Sequence, residues 1–187
     1  MSDPLLTEHS HLPVFRVIRA GWRDPLDSSF SRRKPDNRWN TSDFSALYCC
    51  CSEQVAWAVV RDVFRFAAVS WNDLQLEVRP GLVEISWTGT VVDVVSREGL
   101  HATDLSPDYP KGVTKSQTRA LAVRWHNSGH EGVVSRSASL MRLGFSKWVG
   151  SHEPWGELVI FVANAKNPPT LTRHRDDLDV IFGSVAQ

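Results

Sequence analysis

The chain combines short runs of apolar residues that repeat every second position with longer runs that have helical spacing. A period of two is typical of strands, because successive side chains point to opposite faces of a sheet. Strict alternation in two of these runs, 74–78 and 83–87, predicts that each has one solvent-facing side. The predicted strands are 14–19, 45–50, 74–78, 83–87, 90–95, 132–135 and 157–162, with an edge strand over 178–182.

Two longer segments carry apolar residues on one face of a helix. The first, 53–67, follows the N-cap candidate Ser52, and the second, 115–128, is stopped by Gly129. Because strands and helices do not alternate strictly, the order of elements predicts an α+β fold. The predicted stripes are Ala56, Val59, Val60, Val63 and Phe66 or Ala67 in the first helix, and Thr118, Leu121, Ala122 and Trp125 in the second.

The length of 187 residues fits one domain with a sizeable core. We predict a single domain over 1–187, with its core at about 14–165 and a loose polar segment over 1–12. The segment 21–43 is rich in Ser, Asp, Pro and Arg, which predicts a long surface loop. Loops of that length are uncommon unless they carry a function.

Charge and hydropathy exclude several classes of protein. The 21 basic residues balance 21 acidic ones, which argues against attachment to nucleic acid by bulk charge but leaves a local basic patch open. No apolar run approaches the roughly 20 residues that cross a bilayer. The first residues lack the basic and apolar regions of a secretory signal. A cytoplasmic protein with no membrane contact and no direct nucleic-acid contact is expected.

The three cysteines are consecutive, at Cys49, Cys50 and Cys51. Neighbouring residues of a strand point to opposite faces, which is poor geometry for a disulfide. No second Cys/His cluster has zinc-binding spacing, so no metal site is predicted. Small buried side chains in a reducing compartment are the preferred interpretation over a disulfide or a metal site.

Four residues within or shortly before the predicted strand 45–50 give the clearest candidate site. Arg38, Trp39, Asn40 and Tyr48 place a guanidinium, an indole, an amide and a phenol beside a predicted strand. Such groups can clamp a phosphate and offer a stacking surface to a nucleotide. Structural alternatives stay open: an ion pair for Arg38, core packing for Trp39 and an ordinary hydrogen bond for Tyr48.

Several short motifs follow one another along the chain. They are Phe15-Arg16-Val17, Asn37-Arg38-Trp39-Asn40, Ala46-Leu47-Tyr48 with Ser52 and Val55-Ala56, Gly132-Val133-Val134 with Ser137-Ala138, and Leu158-Val159-Ile160-Phe161. None of these motifs is specific alone, but their order and spacing over most of the chain resemble those of the RES-domain family, which is named for an Arg, a Glu and a Ser.

The resemblance implies a fold similar to that of ADP-ribosyltransferases, with a small twisted β-sheet core, flanking helices and an NAD cleft. The best-known members are toxins of Xre–RES toxin–antitoxin pairs that deplete cellular NAD. NAD as substrate, no prosthetic group and an Xre-type antitoxin partner are therefore expected, and a homodimer is left open. The implied catalytic residues are Arg38, Tyr48 and Ser137, and the implied ligand-binding residues are Arg16, Arg38, Trp39, Asn40, Tyr48 and Ser137.

Two of these residues have alternatives that the sequence leaves open. Arg16 can equally form a structural salt bridge. Ser137 has no His or Asp at a recognisable spacing, so we interpret it as a binding residue and not as a nucleophile.

Three positions depart from the family pattern. Val59 stands where the resemblance places the family glutamate, Glu157 where it places an asparagine, and Asn37 where it places a glycine. Cleavage of the nicotinamide–ribose bond builds positive charge on the ribose, which a carboxylate stabilises and a valine does not. Asp62 and Glu157 are the candidate substitutes for the missing carboxylate.

These departures leave three functional hypotheses. The first is an NAD glycohydrolase or phosphorylase-like enzyme. The second is a catalytically silent module that binds a nucleotide or a protein, which the valine at position 59 favours. The third is an altered ADP-ribosyl transferase or another nucleotide-modifying enzyme.

Overall fold

The structure, a computed structural model, describes residues 3–10, 13–33, 37–64, 73–145 and 156–175. Its strands within these ranges are β1 (Leu6–His9), β2 (Val14–Arg19), β3 (Ala46–Cys50), β4 (Pro80–Ser86), β5 (Gly89–Val94), β6 (Gly132–Arg136), β7 (Gly156–Phe161) and β8 (Thr170–Arg175). They form one sheet in the order β1-β5-β6-β7-β3-β2-β4-β8. The neighbouring strands are antiparallel except for β5 and β6, which run parallel.

Five helices accompany the sheet in the described ranges. The longest, α4, is fixed at its start by a capping box, in which Thr114 and Gln117 satisfy each other's backbone N–H groups. Its end at Gly129 has the positive φ of +80° that glycine adopts without strain. The helices are α1 (Ser29–Arg33), α2 (Glu53–Phe64), α3 (Arg97–Ala102), α4 (Lys115–Asn127) and α5 (Ala138–Arg142).

The sheet is buried on both sides, and the helices α2 to α5 pack on one of them. We call this side the helix face; it carries Ala46, Tyr48 and Cys50 of β3, because alternate residues of a strand share a face. Two apolar clusters cover it, one under α3 and α4 and one under α2 and α5. The opposite side, the loop face, carries Leu47 and Cys49 in a third cluster that Trp22 and neighbouring loop residues cover.

Most of the predicted elements are confirmed, including the strand over 14–19 and the helix over 115–128. The predicted strand over 74–78 is wrong, since Leu76–Val78 form a turn of 3-10 helix. The predicted wet side of 83–87 is also wrong: β4 lies between β2 and β8 and is buried on both faces over most of its length.

Other differences concern the chain termini and the first long helix. Residues 6–9, predicted to be loose, pair as β1 with β5. In α2 the helical period is confirmed, but Val63 is 70% exposed and does not belong to the buried stripe. The predicted edge strand over 178–182 lies outside the described residues. Four other short elements of the described ranges have no counterpart in the sequence prediction, namely α3, α5, β8 and α1, which lies within the predicted loop over 21–43.

The cysteines agree with their predicted role. None of the three forms a disulfide within the described residues, and all are buried, with Cys49 on the loop face and Cys50 on the helix face. Burial raises the pKa of Cys49 to about 12, so this thiol stays protonated at neutral pH. In the part of the chain that the structure describes, no group of His, Cys, Asp and Glu has the geometry of a metal site. None of the helices there combines the length and the apolar character needed to span a bilayer.

Candidate functional site

A polar cluster lies on the helix face where β3, β6 and β7 meet. Its centre is Glu157, the second residue of β7, which accepts a hydrogen bond of 2.6 Å from the Ser137 hydroxyl. In the sheet register Glu157 faces Cys50 on one side and Ser135 on the other. It therefore shares its face with Tyr48, two residues before Cys50 on β3.

Glu157 is a charged residue on the helix face of the sheet, which apolar clusters otherwise cover. Burial raises the pKa of Glu157 above its usual value, while the Ser137 hydrogen bond and the charges of Arg38 and Arg142 act in the opposite direction. Glu157 itself is only half-buried. A carboxylate that is influenced by the charges of two guanidinium groups has the composition of a binding or catalytic site.

Tyr48 fixes the loop that carries Arg38. Its hydroxyl accepts a hydrogen bond of 3.0 Å from the Trp39 backbone N–H and donates one of 2.8 Å to Asn40 Oδ1. Burial raises the pKa of Tyr48 far above the usual range, so the hydroxyl remains a donor. The Asn40 amide in turn donates to the Ser31 carbonyl at 2.7 Å and ties this loop to α1.

Trp39 anchors the same loop in the core. It is 1% exposed, its ring stacks on Trp125 at 5.6 Å between centroids, and its Nε1 donates to Ser135 Oγ at 3.1 Å. Asn40 is fully buried. Their polar side-chain atoms are thus used inside the protein, which corresponds to the packing alternative for Trp39. Direct ligand contact by either residue stays a prediction.

Arg38 is the cation that this loop presents at the cluster. It is half-buried, and its Nη1 makes a long hydrogen bond of 3.4 Å to the Val113 carbonyl. The preceding residue, Asn37, is held through its carbonyl by Arg119 Nε at 2.8 Å. A guanidinium has five N–H donors in a planar fork, so its capacity for an anionic ligand exceeds this one contact.

Comparison with known proteins identifies the family. The family model described as the RES domain matches residues 13–178. The chain belongs to the RES-domain family. No curated protein sequence matches this RES domain.

A solved structure has the same fold. It is a chain in the crystal structure of the M. tuberculosis MbcT–MbcA toxin–antitoxin complex, 22% identical, with a TM-score of 0.68 over 88% of this chain and 82% of that chain. This similarity confirms the predicted mixed fold with a twisted sheet and flanking helices.

The RES domain does not bring Arg16 to the cluster, which corrects the expectation that Arg16 completes the site. Phe15 pairs with Cys50 on the helix face, so Arg16 points to the loop face. There its Nη2 donates to the Asp27 carbonyl at 2.9 Å, and its guanidinium carbon lies 5.5 Å from the centre of the Trp22 ring. The sheet therefore separates Arg16 from Arg38, Tyr48 and Ser137.

Ser137 has a structural role beside its contact with Glu157. It is the N-cap of α5, and its hydroxyl oxygen accepts a hydrogen bond of 3.3 Å from the Leu140 N–H. It is fully buried, with no His or Asp among its hydrogen-bond partners in the described chain. These contacts hold Ser137 inside the protein, and direct contact of Ser137 with a ligand stays a prediction.

Two groups at the cluster carried no signal in the sequence. Arg142 lies on α5 and forms an ion pair with Asp62 of α2, 80 residues earlier. Arg119 lies on α4, within electrostatic reach of Tyr48. Both depend on how helices pack across the sheet, which local patterns do not specify. Glu157 differs from these two residues, because its departure from the family pattern is a signal that the sequence does contain.

Proposed function

We propose that this RES-domain protein binds NAD or a related nucleotide at the cluster of Arg38, Tyr48, Ser137 and Glu157, and cleaves its nicotinamide–ribose bond. The observation that carries the proposal is the carboxylate of Glu157, which lies between the Ser137 hydroxyl and the charges of Arg38 and Arg142. Guanidinium groups bind the diphosphate of a dinucleotide through charge-assisted hydrogen bonds. A carboxylate stabilises the positive charge that develops on the ribose as the bond breaks.

Arg38 is the residue we assign to the diphosphate. Its fork of N–H donors matches two phosphate oxygens, and the loop that carries it is fixed by Tyr48, Trp39 and Asn40. A fixed cation loses little conformational entropy when it binds its ligand. Tyr48 therefore acts mainly by positioning Arg38, and contact between its ring and the ribose is a further part of the proposal.

The cleavage step needs few groups, because nicotinamide leaves as a neutral molecule. The C1′–N bond breaks with its electron pair on the nicotinamide nitrogen, and the ribose becomes cationic. Water then adds to C1′ and releases one proton, giving ADP-ribose, nicotinamide and H⁺. Rate enhancement comes from holding the ribose and from negative charge beside it.

A role as the toxin of a toxin–antitoxin pair is the biological part of the proposal. It is supported by membership of the RES-domain family and by the fold shared with a chain of a toxin–antitoxin complex. The expected partner is an Xre-type antitoxin. Co-expression with a candidate antitoxin should restore the growth of cells in which the protein depletes NAD. Unchanged growth and NAD content when the protein is expressed alone would contradict the toxin role.

The direct test is incubation of purified protein with NAD while free nicotinamide is measured by liquid chromatography. Cleavage should be absent from a matched Arg38→Met preparation, which removes the guanidinium and keeps an unbranched side chain. Wild-type protein that binds no NAD in a calorimetric titration would contradict the assignment of the cluster.

A catalytically silent binding module is the second candidate, because Val59 replaces the glutamate of the family pattern. It predicts uptake of NAD without release of nicotinamide. The altered transferase predicts a third pattern, in which ADP-ribose is retained on an acceptor. Mass spectrometry of the products distinguishes the three in one experiment.

A further inference from the structure

We infer that Glu157 is the catalytic carboxylate of this protein, supplied from β7 in place of the helix glutamate that Val59 replaces. The inference rests on the proposed cleavage of a nicotinamide–ribose bond and assigns its central group. We draw this inference from the places of residues 59 and 157 relative to Cys50.

Cys50 connects the two positions. Val59 on α2 packs against the apolar cluster that contains Cys50. Glu157 on β7 is the cross-strand partner of the same Cys50. Cross-strand partners of an antiparallel pair have Cβ atoms about 5 Å apart. Val59 and Glu157 thus border the same apolar cluster, Val59 from α2 and Glu157 from β7.

The side chain at 157 is placed by contacts that suit a reacting group. One oxygen, Oε1, accepts the Ser137 hydroxyl at 2.6 Å, which fixes the orientation of the carboxylate. Glu157 as a whole residue is only partly buried. Ser137 is therefore a positioning residue that acts through Glu157.

Asp62, the other candidate, is occupied by a structural contact. Its Oδ1 and Oδ2 accept hydrogen bonds from Arg142 Nε at 2.8 and 2.9 Å, and Ser139 donates to Oδ2 at 3.2 Å. Its charge is neutralised by this ion pair between α2 and α5, with the Asp62 side chain only 13% exposed. Its contribution is to hold α5 against α2.

In the reaction, the Glu157 carboxylate stabilises the cationic ribose as the C1′–N bond breaks. It then accepts the proton that the attacking water loses as the new C1′–O bond forms, and releases it to solvent. The net products are ADP-ribose, nicotinamide and one proton, so no further reactant is required.

The test uses Glu157→Gln, which keeps the size of the side chain and removes its charge. We expect kcat for nicotinamide release to fall by about 100-fold or more, as for other preorganised groups that stabilise charge in the transition state. Binding of carba-NAD, a non-cleavable analogue, should stay at the wild-type level in calorimetry. Formate should restore activity to Glu157→Ala, because it can place a carboxylate in the space left by the side chain.

Two further variants separate catalysis from stability. Glu131→Gln alters another buried glutamate at the opposite end of β6, where its carboxylate accepts the N–H groups of Thr90 and Lys166. It should lower the melting temperature and leave kcat unchanged. Asp62→Asn should also keep kcat.

The possible failures are distinguishable. Folded Glu157→Gln protein that cleaves NAD as fast as the wild type would overturn the inference and leave the proposed function intact. A loss of kcat in Asp62→Asn alone would overturn it in favour of Asp62. Wild-type protein that binds carba-NAD but releases no nicotinamide from NAD would overturn both the inference and the proposed cleavage.

Discussion

Replacing Tyr48 by Phe should destabilise the protein and weaken the site together, because one hydroxyl joins the loop of Arg38 to the sheet. The change removes the hydrogen bonds to the Trp39 N–H and to Asn40 Oδ1, of 3.0 and 2.8 Å. A net contribution of about 1 kcal/mol for each, and a similar cost for leaving a buried partner unpaired, gives a loss of about 2–4 kcal/mol.

The assay is urea unfolding followed by tryptophan fluorescence, for which the chain has eight tryptophans. The midpoint should fall without a change in the m-value, because the fold and the surface exposed on unfolding stay the same. The melting temperature should fall by roughly 4–16 °C, from a shift of about 2–4 °C per kcal/mol for a chain of this size. Affinity for carba-NAD should fall in parallel.

Tyr109→Phe is the matched control, since it removes the hydroxyl of the other tyrosine in the chain. That hydroxyl is buried and makes no hydrogen bond of good geometry within the described residues. Its removal should leave the free energy of unfolding close to the wild-type value. If Tyr48→Phe is as stable as Tyr109→Phe, the hydroxyl of Tyr48 does not hold the loop and our account of the site is wrong.

Three further predictions follow from the cluster. Arg16→Met should lower stability without changing the affinity for carba-NAD, because Arg16 lies on the loop face; a selective loss of affinity in calorimetry would contradict this placement. Val59→Glu should raise nicotinamide release, and an unchanged rate in folded protein would mean that the helix position does not face the reacting ribose. Burial raises the pKa of Glu157, so the stability it contributes is fully present below the ordinary glutamate pKa of about 4.3 and is lost as pH rises through its folded-state pKa. Glu157→Gln should therefore be more stable than the wild type in urea at neutral pH and no more stable below about pH 4; a constant difference across that range would contradict the shift.

The elements that the sequence predicted well are those in which the buried residues recur at the spacing of a helix or of a strand. The helix α4 has its cap, its buried residues Thr118, Ala122 and Trp125, and its terminal glycine all within 16 residues of sequence. Such local signals need no knowledge of the partners. The strand β2 was likewise predicted at its observed bounds, 14–19.

The elements that it predicted poorly depend on distant partners. The segment of β1 is mostly polar and becomes a strand because β5 offers it an edge to pair with. The burial of both faces of β4 follows from its position between β2 and β8, and β8 lies almost 90 residues later. Alternation of apolar and polar residues in a short run therefore predicts a strand, but it does not predict which neighbouring elements bury its two faces.

The site was predicted in the same uneven way. Arg38 and Tyr48 are ten residues apart, and the contact of Tyr48 with the neighbouring Trp39 is local, so their association could be expected from the sequence. The contact between Ser137 and Glu157 depends on the β6–β7 register, which sets Ser135 opposite Glu157. Arg16 was misplaced because the face to which a strand residue points depends on the pairing of its strand.

The same register sets the direction in which the carboxylate of Glu157 points. A side chain at 157 points to the helix face because β7 is in register with both β3 and β6, and a slip of one residue would turn it to the loop face. Between these strands the backbone is fixed by two ladders of hydrogen bonds, so the carboxylate is held more rigidly than on a loop. The cost is burial of a charge, which the guanidinium groups of Arg38 and Arg142 partly offset. Replacing Glu157 by Gln removes that cost whatever the role of the carboxylate, whereas kcat falls only if the carboxylate takes part in the reaction. The value of kcat in Glu157→Gln therefore decides between a structural and a catalytic role.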